Sequence, residues 1–157
     1  MRTLIYITTI AYLCVALTSC GNKQVYSQYN SINNHTWQVD SVANFAFTIT
    51  DTVNKHNVLL GVRNGTEYSY SNIFLFVKTT FPNKKTINDT VEILLADTQG
   101  KWLGKTVNNL IDNQILYKRG ILFPLKGNYT MSVQQGMRDA KLAQLFDVGV
   151  TINQSEK

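Results

Sequence analysis

Apolar side chains recur at every second position through most of this chain, and a period of two is the mark of strands that each bury one face. Phe45, Phe47 and Ile49 alternate with Ala46, Thr48 and Thr50, and Val58, Leu60 and Val62 alternate with Leu59, Gly61 and Arg63. The same pattern runs through Val91, Ile93 and Leu95, through Tyr129, Met131 and Val133, and through Val148, Val150 and Ile152. A short strand is expected over Ile121 to Phe123, and a possible first strand before His35. Ile73-Phe74-Leu75-Phe76-Val77 has no polar alternate, so it is expected to be a central strand covered on both faces. Turn signals separate the runs at Asn64-Gly65, Phe81-Pro82-Asn83, Gln99-Gly100 and Lys126-Gly127-Asn128. Only Val107 to Asn113 and Arg138 to Phe146 could be helical, and both are short. About eight strands, with short helices only in loops, make an all-β protein. The economical architecture is an antiparallel β-sandwich, jelly-roll-like in outline.

The start of the chain follows another rule. Arg2 precedes an apolar run from Leu4 to Leu17, and small residues then lead to Cys20. The run is shorter than the roughly 20 apolar residues that a membrane span needs. Leu17-Thr18-Ser19-Cys20 resembles a bacterial lipobox, in which the cysteine is acylated and the peptide before it is removed. Residues 1–19 are therefore expected to be a lipoprotein signal peptide, with Cys20 the lipidation site. Residues 20–36 read as a lipidated tether and first strand, and 37–157 as a single sandwich domain. Two or more acyl chains anchor stably where one binds only marginally, so the membrane is an expected partner. Cys14 leaves with the leader and Cys20 is acylated, which leaves no disulfide; packing alone must hold the fold.

The net charge is +5, and the loss of Arg2 lowers it by one. Lys84-Lys85 and Lys118-Arg119 are the only adjacent basic pairs, so the cations look scattered and no stripe tracks a phosphate backbone. Nucleic acid is not an expected partner. The charge reads as a solvated surface that also suits anionic headgroups. His35 and His56 have no ligand at metal-site spacing, and the chain holds no Gly-x-Ser-x-Gly elbow or glycine-rich phosphate loop. Glu92 and Asp97 read as an exposed strand carboxylate and a turn aspartate rather than as a catalytic pair. No metal, cofactor or enzymatic activity is expected.

Contact chemistry is more plausible. In the loop Asp97 to Lys105, Gly100 and Gly104 frame Trp102, which either folds under the sheet edge or stands exposed with Tyr68 and Tyr70 as a protein anchor or sugar platform. Gln134-Gln135-Gly136-Met137-Arg138 either closes the sandwich rim by hydrogen bonding or offers the Arg138 guanidinium to a partner's carboxylate. The candidate partner-binding residues are thus Tyr68, Tyr70, Trp102 and Arg138. Trp37, Phe45, Phe74 and Tyr129 read as core.

Several stretches, in this order and spacing, carry a family resemblance. They are the lipobox, Val25-Tyr26-Ser27-Gln28-Tyr29, Val62-Arg63-Asn64, Tyr68, Tyr70 and Ser71-Asn72-Ile73-Phe74-Leu75. Phe81-Pro82-Asn83, Ala96 through Lys105, Gly127-Asn128-Tyr129, Gln134 through Arg138 and Asp147-Val148-Gly149 complete the set. Together they resemble the GldH family of gliding-motility lipoproteins of the Bacteroidetes. The resemblance implies a noncatalytic lipoprotein anchored in the outer membrane and needed for gliding and for the associated type IX protein secretion. Its implied partners are other envelope lipoproteins or the gliding and secretion machinery. Surface-exported lipoproteins of these bacteria typically carry acidic residues after the cysteine, whereas Gly21-Asn22-Lys23-Gln24 has none; the periplasmic face is favoured over the cell surface. The alternative is a carbohydrate-binding sandwich that grips cell-wall or surface glycan through Trp102 and nearby tyrosines.

Overall fold

The computed structural model describes residues 23–155, so the signal peptide and the lipidation site at Cys20 lie outside the described residues. Eleven strands, rather than about eight, follow one another: β1 (Gln24–Ser31), β2 (Thr36–Gln38), β3 (Val42–Ile49), β4 (His56–Gly65), β5 (Asn72–Thr80), β6 (Thr86–Leu94), β7 (Lys105–Val107), β8 (Leu110–Ile121), β9 (Gly127–Gln135), β10 (Lys141–Ala143) and β11 (Leu145–Gln154). A five-stranded antiparallel sheet, β1-β11-β4-β8-β7, packs over a four-stranded one, β3-β9-β5-β6, and β10-β2 form a small ribbon. The alternation sets the faces. Phe45, Phe47 and Ile49 of β3 and Tyr129, Met131 and Val133 of β9 are buried, as are Leu60 and Val62 of β4 and Val148, Val150 and Ile152 of β11. Each such side chain contributes about 1.5–3 kcal/mol when fully removed from water. Trp37 and Leu142, opposite one another in the ribbon, join the same core.

Both expected helices are strands. At 107–113, Asn108 and Asn109 have positive φ and form the two-residue turn of a hairpin in which Val107 faces Leu110. Asparagine tolerates the left-handed region that such a turn requires at both central positions. At 138–146, β10 pairs with β2, and Gln144, at φ 65, redirects the chain into β11. Asn64-Gly65 is no turn either: it stays in β4, buried, because β11 and β8 flank Asn64 as pairing partners. The short strand at 121–123 is the end of the long β8, after which Phe123 is buried without strand pairing.

β5 is central in its sheet, flanked by β9 and β6, yet it is covered on one face only. Ile73, Leu75 and Val77 are buried, Phe74 is half-buried and Phe76 is 49% exposed on the outer face. The apolar run exceeds what the second sheet can cover, since that sheet lies on one side.

On the five-stranded sheet, Tyr29 crosses the outer face over a directly opposed glycine pair, Gly61 and Gly149. The Arg63 guanidinium stacks 4.1 Å above the Tyr29 ring and reaches Asp112 and Asp147. This holds the edge strand β1 down.

At the β3–β4 connection, the Asp51 carboxylate accepts the backbone N–H groups of Val53 and Asn54, the Asn54 side chain and Gln154. The Asn54 donors, then Val53, hold its pKa down to about 2. A depressed carboxylate pKa contributes stability above the unfolded value of about 4 and loses it as pH falls below that. Urea titrations of Asp51→Asn should therefore show a shallower loss of stability between about pH 4 and 2 than the parent shows. An unchanged acid limb would remove Asp51 from this role.

Candidate functional site

Antiparallel pairing sends the connections alternately to the two ends of the sandwich. Residues 66–71, 95–104 and 136–140 all emerge at the end opposite Gln24, because Gly65, Leu94 and Gln135 terminate their strands there. The Ser71 carbonyl accepts the N–H groups of Leu95 and Ala96, at 2.8 and 3.0 Å, which ties two of these loops together. Within 95–104, Asp97 accepts from the N–H groups of Gln99 and Lys101, each at 2.9 Å. Gly100 closes that turn at φ 80, and Ala96 bridges to Trp102. Trp102 is half-buried with its ring against the core. A Cβ at Gly104 would stand 2.5 Å from Asn113 Oδ1, so the loop lies tightly on β8.

Tyr68 and Tyr70 differ sharply in setting. Tyr68 is 5% exposed, its hydroxyl donates to the Asn72 carbonyl, and burial pushes its pKa up. It belongs to the core and supports Tyr70, whose ring meets it at 63° with centroids 5.7 Å apart. The Tyr70 hydroxyl donates to Asp139, and that bond, ahead of burial, raises the phenol's pKa. Buried Gln135 fixes the neighbouring loop: its Oε1 accepts from the Met137 N–H at 2.8 Å and its Nε2 donates to the Asp139 carbonyl at 3.0 Å. The Gly136 N–H donates to the Phe74 carbonyl, and the Phe74 N–H meets Met137 Sδ at 3.3 Å.

These contacts shape a cleft of about 540 Å³ beside Tyr70, lined by Phe74, Gly136, Met137, Arg138 and Asp139; a separate cleft of about 680 Å³ lies at the Asn33–Gln38 segment. Arg138 is exposed and, among the described residues, has no carboxylate partner. Structure thus unites Tyr68, Tyr70 and Arg138 and leaves Trp102 in the adjoining loop. The three rings form no exposed coplanar platform. Phe74, read as core, instead walls the cleft. Asp139 carries no signal of its own in the sequence, whereas Gln135 lies in the stretch expected to close the rim by hydrogen bonding, and its bonds to Met137 and Asp139 do so. Among the described residues, no three His, Cys, Asp or Glu side chains converge as metal ligands.

The chain matches the GldH lipoprotein family over residues 24–152. It is 32% identical to the gliding motility lipoprotein GldH homolog of Christiangramia forsetii, over 99% of each chain. It is 29% identical to the gliding motility lipoprotein GldH of Flavobacterium johnsoniae, over 90% of this chain and 92% of that one. Among solved structures, a carbohydrate-binding module specific for non-crystalline cellulose aligns with a TM-score of 0.41 and 11% identity, over 82% of this chain and 70% of that chain. A likeness that loose carries no functional argument.

Proposed function

The chain belongs to the GldH lipoprotein family, and from that premise we propose that it is a lipid-anchored, noncatalytic contact component required for gliding motility and the associated type IX protein secretion. The family makes it a membrane-anchored envelope lipoprotein; the outer membrane, on its periplasmic face, is the site we propose. The observation that carries the reading is the family match across nearly the whole domain.

Geometry supports a division of labour. β1 begins four residues beyond Cys20, so at about 3.5 Å per residue the domain starts within roughly 14 Å of an anchor there. The loops bearing Tyr70 and Arg138 stand at the other end, about 26 Å further along an eight-residue strand. Confinement to a surface raises the effective concentration of partners on the same membrane, so a modest contact suffices. The unpaired guanidinium beside an apolar cleft suits a partner segment with a carboxylate next to an apolar side chain.

Photocrosslinking in gliding cells from position 140, exposed in the same loop as Arg138, tests this. Arg138→Glu should reduce capture of the envelope partner about tenfold, the scale of one charge-assisted hydrogen bond, and slow gliding, with the protein still folded and anchored. Undiminished capture and gliding would sink the Arg138 contact. A soluble Cys20→Ala protein that supports full gliding would sink the tether.

A further inference from the structure

The cations that look scattered in the sequence collect at the end of the sandwich where β1 begins. Five segments meet there. The Lys23 carbonyl accepts the Gln154 N–H at 2.8 Å, and the Lys55 carbonyl accepts the Ser155 N–H at 2.7 Å. The Lys55 side chain runs beside Gly120, and Pro82 lies against Gly127, so the 81–85 turn and the 119–127 connection join the same end. These segments present Lys23, Lys55, Lys84, Lys85, Arg119 and Lys126, all exposed. Among their described residues the sole carboxylate is Asp51, which is engaged by Val53, Asn54 and Gln154. The opposite end is mixed, with Asp40, Glu67, Asp97 and Asp139 set among Lys101, Arg138 and Lys141.

A second feature accompanies the charge. Val53, at the tip of the β3–β4 connection, is 84% exposed, and Leu122, just past the end of β8, is 53% exposed. Apolar tips ringed by lysine and arginine match a bilayer boundary, where the side chains enter the acyl region and the cations meet phosphate. We infer that this end of the sandwich is a membrane-contact face for anionic phospholipid headgroups, holding the domain upright with the Tyr70–Arg138 cleft turned away from the lipid. The position of Gln24, the first strand residue after the tether, places the face against the bilayer that carries the anchor. The direction of the cleft rests on the anchor at Cys20, whereas the affinity of the face for anionic lipid does not.

The test uses the mature protein on vesicles of neutral phosphatidylcholine, or of the same lipid with about a third phosphatidylglycerol, with a fluorophore on Leu122→Cys and a quencher in the bilayer. Quenching should be several-fold stronger on the anionic vesicles and should fall to the neutral level for Lys84→Glu/Lys85→Glu/Lys126→Glu, each cation near such a surface being worth roughly fivefold in attachment. A fluorophore on Asp40→Cys, at the other end, should stay unquenched throughout. Equal quenching on both lipids, indifference to the charge reversals, or stronger quenching at position 40 overturns the inference. The mass of the N-terminal residue reports acylation separately. An unacylated chain should still be held by anionic vesicles and released by about 0.5 M salt, where the Debye length is only a few ångströms.

Discussion

Asn113→Asp is expected to lower the free energy of unfolding by about 3–5 kcal/mol, the cost of an uncompensated buried charge. Asn113 is 2% exposed, and its Nδ2 faces three acceptors: Asn64 Oδ1 at 2.8 Å, the Val62 carbonyl at 3.1 Å and the Ile111 carbonyl at 3.3 Å. Aspartate has the same shape but presents oxygen where those acceptors need a donor. Asn113→Leu removes the bonds without adding charge and should cost less, about 1–3 kcal/mol. Against a typical domain stability of 5–15 kcal/mol, the aspartate variant keeps only a fraction of the parent's margin. A protonated carboxyl can donate where the amide does, so the deficit should shrink as the pH approaches the unfolded-state carboxylate value of about 4. Urea unfolding of the two variants decides the matter, and an aspartate variant no worse than the leucine one would refute the assignment. The consequence reaches the far loops, because Asn113 ties β8 to β4 and Gly104 seats the Trp102 loop directly against it.

Gly61→Ala should cost about 2 kcal/mol, the sum of expelling a half-buried aromatic ring and losing its cation–π contact. The new Cβ would lie 2.3 Å from the Tyr29 hydroxyl and 2.6 Å from its ring, so the ring must leave the trough and Arg63 loses its platform. In a Tyr29→Ala background the sign should reverse. With the trough empty, alanine replaces a glycine that a strand disfavours by roughly 0.5–1 kcal/mol, and the substitution becomes neutral or stabilising. Additive effects across this double-mutant cycle would show that the glycine is there for some reason other than the tyrosine.

Much of the sandwich is legible from alternation. Phe45, Phe47 and Ile49, or Val148, Val150 and Ile152, point inward because a strand turns every second side chain to one face. Where a second signal competes, the reading fails for identifiable reasons. Asn108-Asn109 is a turn signal within a segment that otherwise resembles a helix, and the hairpin wins because its strands find partners in the sheet. Asn64-Gly65 resembles a turn but is held in β4 by pairing on both sides. Phe76 is exposed because the second sheet covers only the other face of β5, and a period cannot say whether a further layer exists to cover an apolar run. In the candidate site, Tyr70 and Arg138 line the cleft, whereas Tyr68 looks the same in sequence and is core. What separates the two tyrosines is depth: the Tyr68 ring is buried in the core, and the Tyr70 ring rests on it with its hydroxyl bound to Asp139.

The amino-acid order by itself determined the inward face of most strands, the places where many of them stop, and the lipobox-like start, since each of these depends on residues a few positions apart. Only the tertiary structure decided that Tyr29 lies across Gly61 and Gly149, that Asn113 faces three acceptors, and that six cations from distant segments share one end. Strand pairing and register join positions tens of residues apart, and that cooperative choice assigns each connection to one pole of the sandwich or the other.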